Sequence, residues 1–561
     1  GKIAGLLMHY YGEDARKLGY ELNLFIQPLL DIHLKSNLGR EIEANGQLQH
    51  VYIFSALGFF ILVLAIINFI NLSTAQSTKF GKQTGIRRIS GSTRFQLIRL
   101  FMFDSFVYAA GAGLLALGIV EMLFPYFNQF LGRELPGLLE RPWLVGVIFP
   151  ALIICVTLLG GGYPAYILSS VRPVAVLNNR LQPISASRLR HGLIVFQFAV
   201  SFVFAICAFT IYRQIDFMMT KTPGYEKRNV VVIDAWTNSQ LRANAKALEN
   251  ELERISHVED VTVSQSVPGQ GLLQRTTRRE GMDTWVVMES LITGVDFLDV
   301  YDFELASGRT FSRDIEWDIS QAFVINQAAA RSFGWTDEEA IGKNFEWFIQ
   351  KQGQIIGVVK DFHYRSLHEI IVPVVVHLAE RGHGYISVRL KEGAFSAGLQ
   401  AIEERYRLLY PDQLFQFFVL DENFNLQYAS DEKLGLLAFI FCGLSFFIAC
   451  IGLVGLSALI VEDRRKEIGI RKVLGATSAA ILIMLNKGFS SLVFLAVLVG
   501  IPCAYFAADQ WLQQFAYRTE ITSEVFIVAA IASLLVTTLT VSYHSLKASI
   551  DSARGCAADE I

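Results

Sequence analysis

Hydrophobic residues in this chain gather into long blocks. Seven stretches, 51–73, 100–124, 143–169, 192–212, 434–461, 481–508 and 525–543, are mostly apolar. Each holds about the twenty residues that a helix needs to cross a bilayer core. The stretch 434–461 contains no Asp, Glu, Lys or Arg, and a helix apolar on every side belongs in hydrocarbon or in a fully buried core. The stretch 100–124 is less uniform, because it holds Asp104 and Glu121. Between 213 and 433 the pattern changes. Short β-branched runs at 229–234, 258–266, 322–325, 354–359, 372–377 and 385–390 alternate with helical spacing at 241–255, 327–333 and 397–409. This predicts a compact α+β domain in two lobes. Residues 23–34 (NLFIQPLLDIHL) run parallel to residues 415–428 (FQFFVLDENFNLQY), each shortly before an apolar stretch. Residues 1–50 therefore read as the end of a similar domain.

Basic residues orient the spans. The loop after the first span holds Lys79, Lys82, Arg87, Arg88, Arg94 and Arg99 without an acid. The loop before the fourth holds Arg172, Arg180, Arg188 and Arg190, again without an acid. The loop after the fifth holds Arg464, Arg465, Lys466, Arg471 and Lys472 against three acids. These loops are expected in the cytoplasm, which puts 1–50 and 213–433 outside and the tail after His544 inside. Composition agrees: of 561 residues 52% are hydrophobic and only 18% charged, against roughly 25% charged in a soluble domain. The net charge of −3 gives nucleic acid no basic footprint. All six cysteines lie in spans or in the tail, so the outside domain is expected to stand on its own core without disulfides.

The chain repeats itself. At one constant offset KFGKQTGIRRISGST (79–93) overlies DRRKEIGIRKVLGAT (463–477). Lys82 meets Lys466, Gly85-Ile86-Arg87 meets Gly469-Ile470-Arg471, Arg88 meets Lys472, and Gly91 meets Gly475. The same offset carries the first span onto the fifth and the second onto the sixth. The fourth span has its counterpart before residue 1, so the intact protein is expected to have eight spans in two parallel repeats. The domains expected are 1–50, the end of a first extracytoplasmic domain; 51–170, a three-helix membrane unit; 171–191, a cytoplasmic linker; 192–212, a span opening the second repeat; 213–433, a second extracytoplasmic domain; 434–545, a second three-helix unit; and 546–561, a cytoplasmic tail. The fold class is a polytopic α-helical membrane protein with an α+β extracytoplasmic domain. The segment 462–477 predicts a helix rich in Arg, Lys and Glu467, with Gly475 as its C-terminal cap. By itself it reads either as a positive-inside loop or as a helix that presses on a cytoplasmic partner. The duplication favours the second, since topology needs charge but does not need Gly-Ile-Arg.

The segments GIRRISGST and GIRKVLGAT resemble the signature of FtsX-like permeases of ABC transporters, the class that includes the macrolide exporter MacB, the lipoprotein-releasing permeases and FtsX. GLIVFQFAVSFVF (192–204), GVVKDFHYRSLHE (357–369) and LQQFAYRTEI (512–521) are similar to stretches of the duplicated, eight-span bacterial permeases with MacB-like periplasmic core domains. The resemblance implies an inner-membrane protein in which residues 79–93 and 463–477 are coupling helices that dock on an ABC ATPase subunit, in two copies. It also implies that ATP drives movement of the outside domain, called mechanotransmission, with an envelope protein or adaptor as a further partner besides membrane lipids. The chain has no G-x-x-x-x-G-K-[ST] loop; Gly342-Lys343 lacks both the spaced glycine and the following Ser or Thr. ATP-Mg is thus expected on the partner, with no cofactor in this chain and no enzyme activity of its own. Export or extraction of an unidentified substrate is the first function implied. Regulation of an envelope enzyme is the second, and a membrane-anchored enzyme the third.

At the repeat offset Lys487 falls on Phe103, beside Asp104, so Asp104 and Lys487 either pair across the two halves or reach separately to the cytoplasmic interface. Gly160-Gly161-Gly162 and Pro164 mark a kink or a close helix contact, or else the start of a loop. His363, His368, His377 and His383 crowd one part of the outside domain near Asp361, but their spacing fits no zinc pattern, which favours ordinary surface or core histidines.

Overall fold

The computed structural model describes Tyr10 and residues 26–36, 48–75, 83–84, 86–132, 134–169, 184–281, 285–348, 351–379 and 383–558. Lys82, Gly85, the linker 171–183 and most of residues 1–50 lie outside the described residues, and of Lys466 only the backbone is described. The chain divides into a helical unit (Gln49–Ile211, Gly435–Trp511 and Glu520–Ile561) and an α+β unit (Gly1–Leu48, Tyr212–Leu434 and Leu512–Thr519).

Among the described residues, seven helices are long and apolar enough to cross a membrane. They are Leu48–Ala75, Arg94–Leu131, the helical run 144–169, Ile184–Thr220, Ala429–Asp463, Ser478–Leu512 and Ser523–Ala558. The second was expected to stop at residue 124. It continues to Leu131 with Pro125 inside it, and ends where Gly132 turns left-handed (φ 68°) and donates to the Asn128 and Gln129 carbonyls. A glycine cap ends this helix, not the proline. The seventh helix likewise runs on to Ala558, into the stretch expected as a tail.

The third span is built from alternating π and α turns: Leu144–Ile148, Phe149–Val156, Thr157–Gly161 and Gly162–Ser169. Its glycines serve close packing. A methyl group on Gly160 would overlap the Phe69 ring of the first span, and one on Gly161 would overlap Ser105 of the second. The helix therefore continues through Pro164, and no loop starts there. The fifth span meets the first in the same way, with Gly452 against Asn68 and Gly455 against Leu72. Small residues let helix backbones approach where lipid supplies no hydrophobic drive for association. The fully buried hydroxyls of Ser201 and Ser445 join the fourth and fifth spans at 2.5 Å.

The α+β unit carries strands β1 (Val230–Asp234), β2 (Val258–Ser264), β3 (Leu273–Arg279), β4 (Val286–Thr293), β5 (Leu305–Gly308), β6 (Ala322–Asn326), β7 (Asn344–Trp347), β8 (Lys351–Val359), β9 (Val374–Leu378), β10 (Tyr385–Leu390) and β11 (Phe417–Val419). One part has the strand order β11-β1-β10-β2. A helical stretch follows β1, and the helix Phe395–Leu409 follows β10, which is the βαββαβ pattern. Leu248, Leu252, Ile402 and Tyr406 pack on Val231, Ile233, Val261 and Ile386 to form its core. The helix expected over 241–255 is broken into Ser239–Ala243 and Ala245–Leu252, because Asn244 leaves helical geometry.

Between β2 and β10 the chain inserts a second lobe. Its strands run β4-β3-β7-β8-β6-β9, and β9 returns to pair parallel with β4, so this sheet closes on itself. Phe323, Phe345, Trp347, Ile355 and Val375 fill it. Two cores thus bear out an α+β domain in two lobes. Gly308 of β5 faces Gly357 of β8, where a side chain on either would strike the other strand's backbone or that of Arg309.

Candidate functional site

The two repeated basic segments take the same shape. The second is the helix Arg465–Val473. At its end Gly475 sits at φ 88°, its N–H donates to the Lys472 carbonyl at 3.0 Å, and the Ala476 N–H donates to the Arg471 carbonyl at 2.9 Å. The first segment is helical over 86–89. There Gly91 sits at φ 94°, its N–H donates to the Arg88 carbonyl at 3.2 Å, and the Ser92 N–H donates to the Arg87 carbonyl at 3.0 Å. This crossed pair of bonds is the Schellman motif, and its left-handed position favours glycine. Immediately after it, Thr93 accepts from the Gln96 N–H at 3.3 Å and Thr477 from the Ala480 N–H at 3.2 Å, each opening the next span. The G-x-T spacing is therefore a compact helix-stop, helix-start unit made twice.

Exposure is repeated as well. Thr84 and Ile468 are buried at matching positions, and Arg88 and Lys472 are half-buried. Ile86 and Ile470 are 56% and 63% exposed, with Arg87 and Arg471 exposed beside them. Ile468 anchors the second helix on Val461, Ile481 and Leu485. Glu467 is exposed and pairs with Arg471 at 2.8 Å, and Arg471 also donates to Met484 Sδ at 2.7 Å. Gly469 is half-buried. Each segment so presents an isoleucine and an arginine on one outward face, held from below by a buried side chain.

Asp104 and Lys487 are not brought together. Both are exposed on their helices, and among the described residues no ion pair joins them. Glu121 has a local role, accepting the Leu139 N–H at 2.9 Å. The four histidines are spread through the α+β unit. His377 is buried against Trp347, with ring centroids 4.2 Å apart, and His383 is buried elsewhere. His368 Nε2 lies 3.4 Å from Asp431. Among the described residues no three His, Cys, Asp or Glu side chains could hold a metal ion together.

A second feature has no local signal in the sequence. Within the α+β unit the segment Leu512–Thr519 is clasped by residues far from it in the chain. The Gln214 side chain, fully buried, donates to the Tyr517 carbonyl and accepts from the Thr519 N–H, both at 2.8 Å. The Tyr517 ring stands edge-on to His363 at 4.5 Å and lies under the Lys221 ammonium at 4.2 Å. Phe515 packs on His368 at 4.7 Å, and the Ala516 N–H donates to the His368 carbonyl at 3.3 Å. Burial, reinforced by the Lys221 charge, lowers His363 to about 4, so it stays neutral at physiological pH. A buried amide bonded at both ends to one backbone stretch fixes that stretch in register. His363 and His368 lie in the stretch 357–369, and Phe515 and Tyr517 in 512–521, two stretches that carry part of the resemblance; Gln214 and Lys221 lie outside both.

Two family models match the chain. The family described as FtsX-like permease C-terminal matches residues 55–173 and 439–552. The MacB-like periplasmic core domain matches residues 198–404. No curated protein matches the chain. Among solved structures, the periplasmic region of MacB from Actinobacillus actinomycetemcomitans is 16% identical, covering 36% of this chain and 94% of its own, with a TM-score of 0.28. The extracellular domain of the noncanonic ABC-type transporter YknZ from Gram-positive bacteria is 17% identical, covering 34% and 98%, with a TM-score of 0.25.

Proposed function

The chain belongs to the FtsX/MacB-like ABC transporter permeases, and on that premise we propose that it couples ATP hydrolysis by a partner ATPase to movement of its α+β domain on the outer side of a bacterial inner membrane. The observation that carries the proposal is the repeated geometry of residues 86–93 and 470–477, each a short cationic helix end stopped by a left-handed glycine and followed at once by a capped span. An outward isoleucine beside an arginine suits a partner groove that is apolar inside and acidic at its rim. Two such faces suit two copies of one ATPase. Because each helix end joins the next span without slack, a push on it passes to that span. The Gln214 clasp supports the same reading at the other end, since it ties the stretch following the sixth span into the α+β unit. ATP and Mg are assigned to the partner, and the work delivered outside is export or extraction of a substrate.

The test is recovery of partners. Full-length protein purified from its native membranes in mild detergent should bring down an ABC-class ATPase at about two copies per permease, as two docking faces require. Failure to recover any such ATPase, even after crosslinking, would return both segments to positive-inside loops.

A further inference from the structure

A cleft of about 340 Å³ opens at the cytoplasmic ends of the fourth, fifth and sixth spans. Its deep wall is apolar, with Ile194, Leu456, Leu485 and Phe489 all buried. Its mouth carries Arg190 and Arg464. Among the described residues no acid lines it, and neither arginine forms an ion pair. Two unpaired guanidinium groups above a greasy wall, at the level where a bilayer places its headgroups, call for a ligand with an anion at one end and hydrocarbon at the other.

We propose that this cleft binds one anionic glycerophospholipid of the cytoplasmic leaflet, its phosphodiester on Arg190 and Arg464 and an acyl chain along Ile194, Leu456 and Phe489. The proposal rests on the cytoplasmic placement of residues 463–477 but requires no ATPase. The repeat supplies an internal contrast. At the constant offset, Arg464 and Gly488 of the cleft correspond to Phe80 and Asp104 in the first half. The first half thus replaces a cation by a ring and sets a carboxylate where the cleft has open space, so the site belongs to the second half alone. It also adjoins the second basic helix, since Met484 of the cleft wall takes the Arg471 hydrogen bond and Leu485 packs on Ile468. A bound lipid therefore braces that helix where it meets the membrane.

Gly488→Asp copies the first-half residue into the cleft, and nothing lies within 4 Å of a Cβ placed there, so the variant should fold. Native mass spectrometry of the purified full-length protein, exposed to phosphatidylglycerol, phosphatidylcholine or inorganic phosphate, reads the outcome. Wild type should retain one phosphatidylglycerol about tenfold more tightly than phosphatidylcholine, the preference that two interfacial arginines supply. Gly488→Asp and the double variant Arg190→Gln/Arg464→Gln should each erase that preference, and inorganic phosphate at the same concentration should not displace the lipid. Equal retention of the two lipids by wild type, undiminished preference in both variants, or displacement by phosphate alone would overturn the assignment.

Discussion

Reversing the charge of Arg87 and Arg471 together should reduce the ATPase recovered with the permease by about thirtyfold, while membrane insertion stays normal. Both arginines are exposed at the same turn of the two repeated helix ends, beside Ile86 and Ile470. A carboxylate in place of each guanidinium would meet the acidic rim proposed for the partner with like charge, and such a reversal costs about 2 kcal/mol or more where the contact is desolvated. Damage to the helices themselves is small by comparison. Arg471 loses its pair with Glu467, a half-exposed contact worth only a few tenths of a kcal/mol, and gains a similar repulsion. The caps at Gly91 and Gly475 use backbone groups alone and are untouched. Either single variant should leave about one copy of the ATPase bound through the other face. Quantitative mass spectrometry of the co-purified subunit reads the difference, and normal recovery with the double variant would exclude these faces as the dock.

Gln214→Leu should release the stretch Leu512–Thr519 from its clasp. The substitution keeps the volume but removes both bonds to the backbone of that stretch, leaving the Tyr517 carbonyl and the Thr519 N–H without their side-chain partner. Both residues are half-buried, so each group stripped of its bond costs about 1 kcal/mol, the low end for buried groups. Hydrogen exchange at the Thr519 amide should then accelerate by about tenfold to a hundredfold. The packing of Tyr517 on His363 and of Phe515 on His368 holds the segment near its place, so the rest of the α+β unit should keep its protection. Unchanged exchange at Thr519 would mean that the rings alone fix the segment.

Much of this architecture is local in origin and therefore readable from the sequence. The spans show as apolar blocks, and the two basic helix ends show because glycine at a left-handed stop and threonine at a following start are short-range requirements. The misplaced end of the second span has a similar lesson: Pro125 draws the eye, but Gly132 makes the cap. The closed sheet was harder. β3 reads LQRTTRR, without an apolar run, and is a strand because Thr276 and Thr277 are buried within the lobe while its arginines are half-buried and Arg278 pairs along the sheet with Glu346 of β7. β7 has four residues and β5 four, too few to show a period. The clasp was out of reach altogether. Gln214 and Tyr517 stand 303 positions apart, and nothing in the spacing around either says that they meet. Nor does charge alone settle long-range pairing: Asp104 and Lys487 fall at nearly corresponding positions and yet form no ion pair.

The proposed function requires ATP to move the α+β domain. Spin labels test this when placed at Leu414 in the α+β unit and at Leu498 in the sixth span, both exposed, after the native cysteines are replaced. Pulsed dipolar spectroscopy of the permease bound to its ATPase, with and without ATP and Mg, compares the two distance distributions. The distribution should shift on ATP binding and return after hydrolysis, and should not respond when Arg87 and Arg471 carry the reversed charge. A distribution that stays fixed while the bound ATPase turns over would contradict the proposed function.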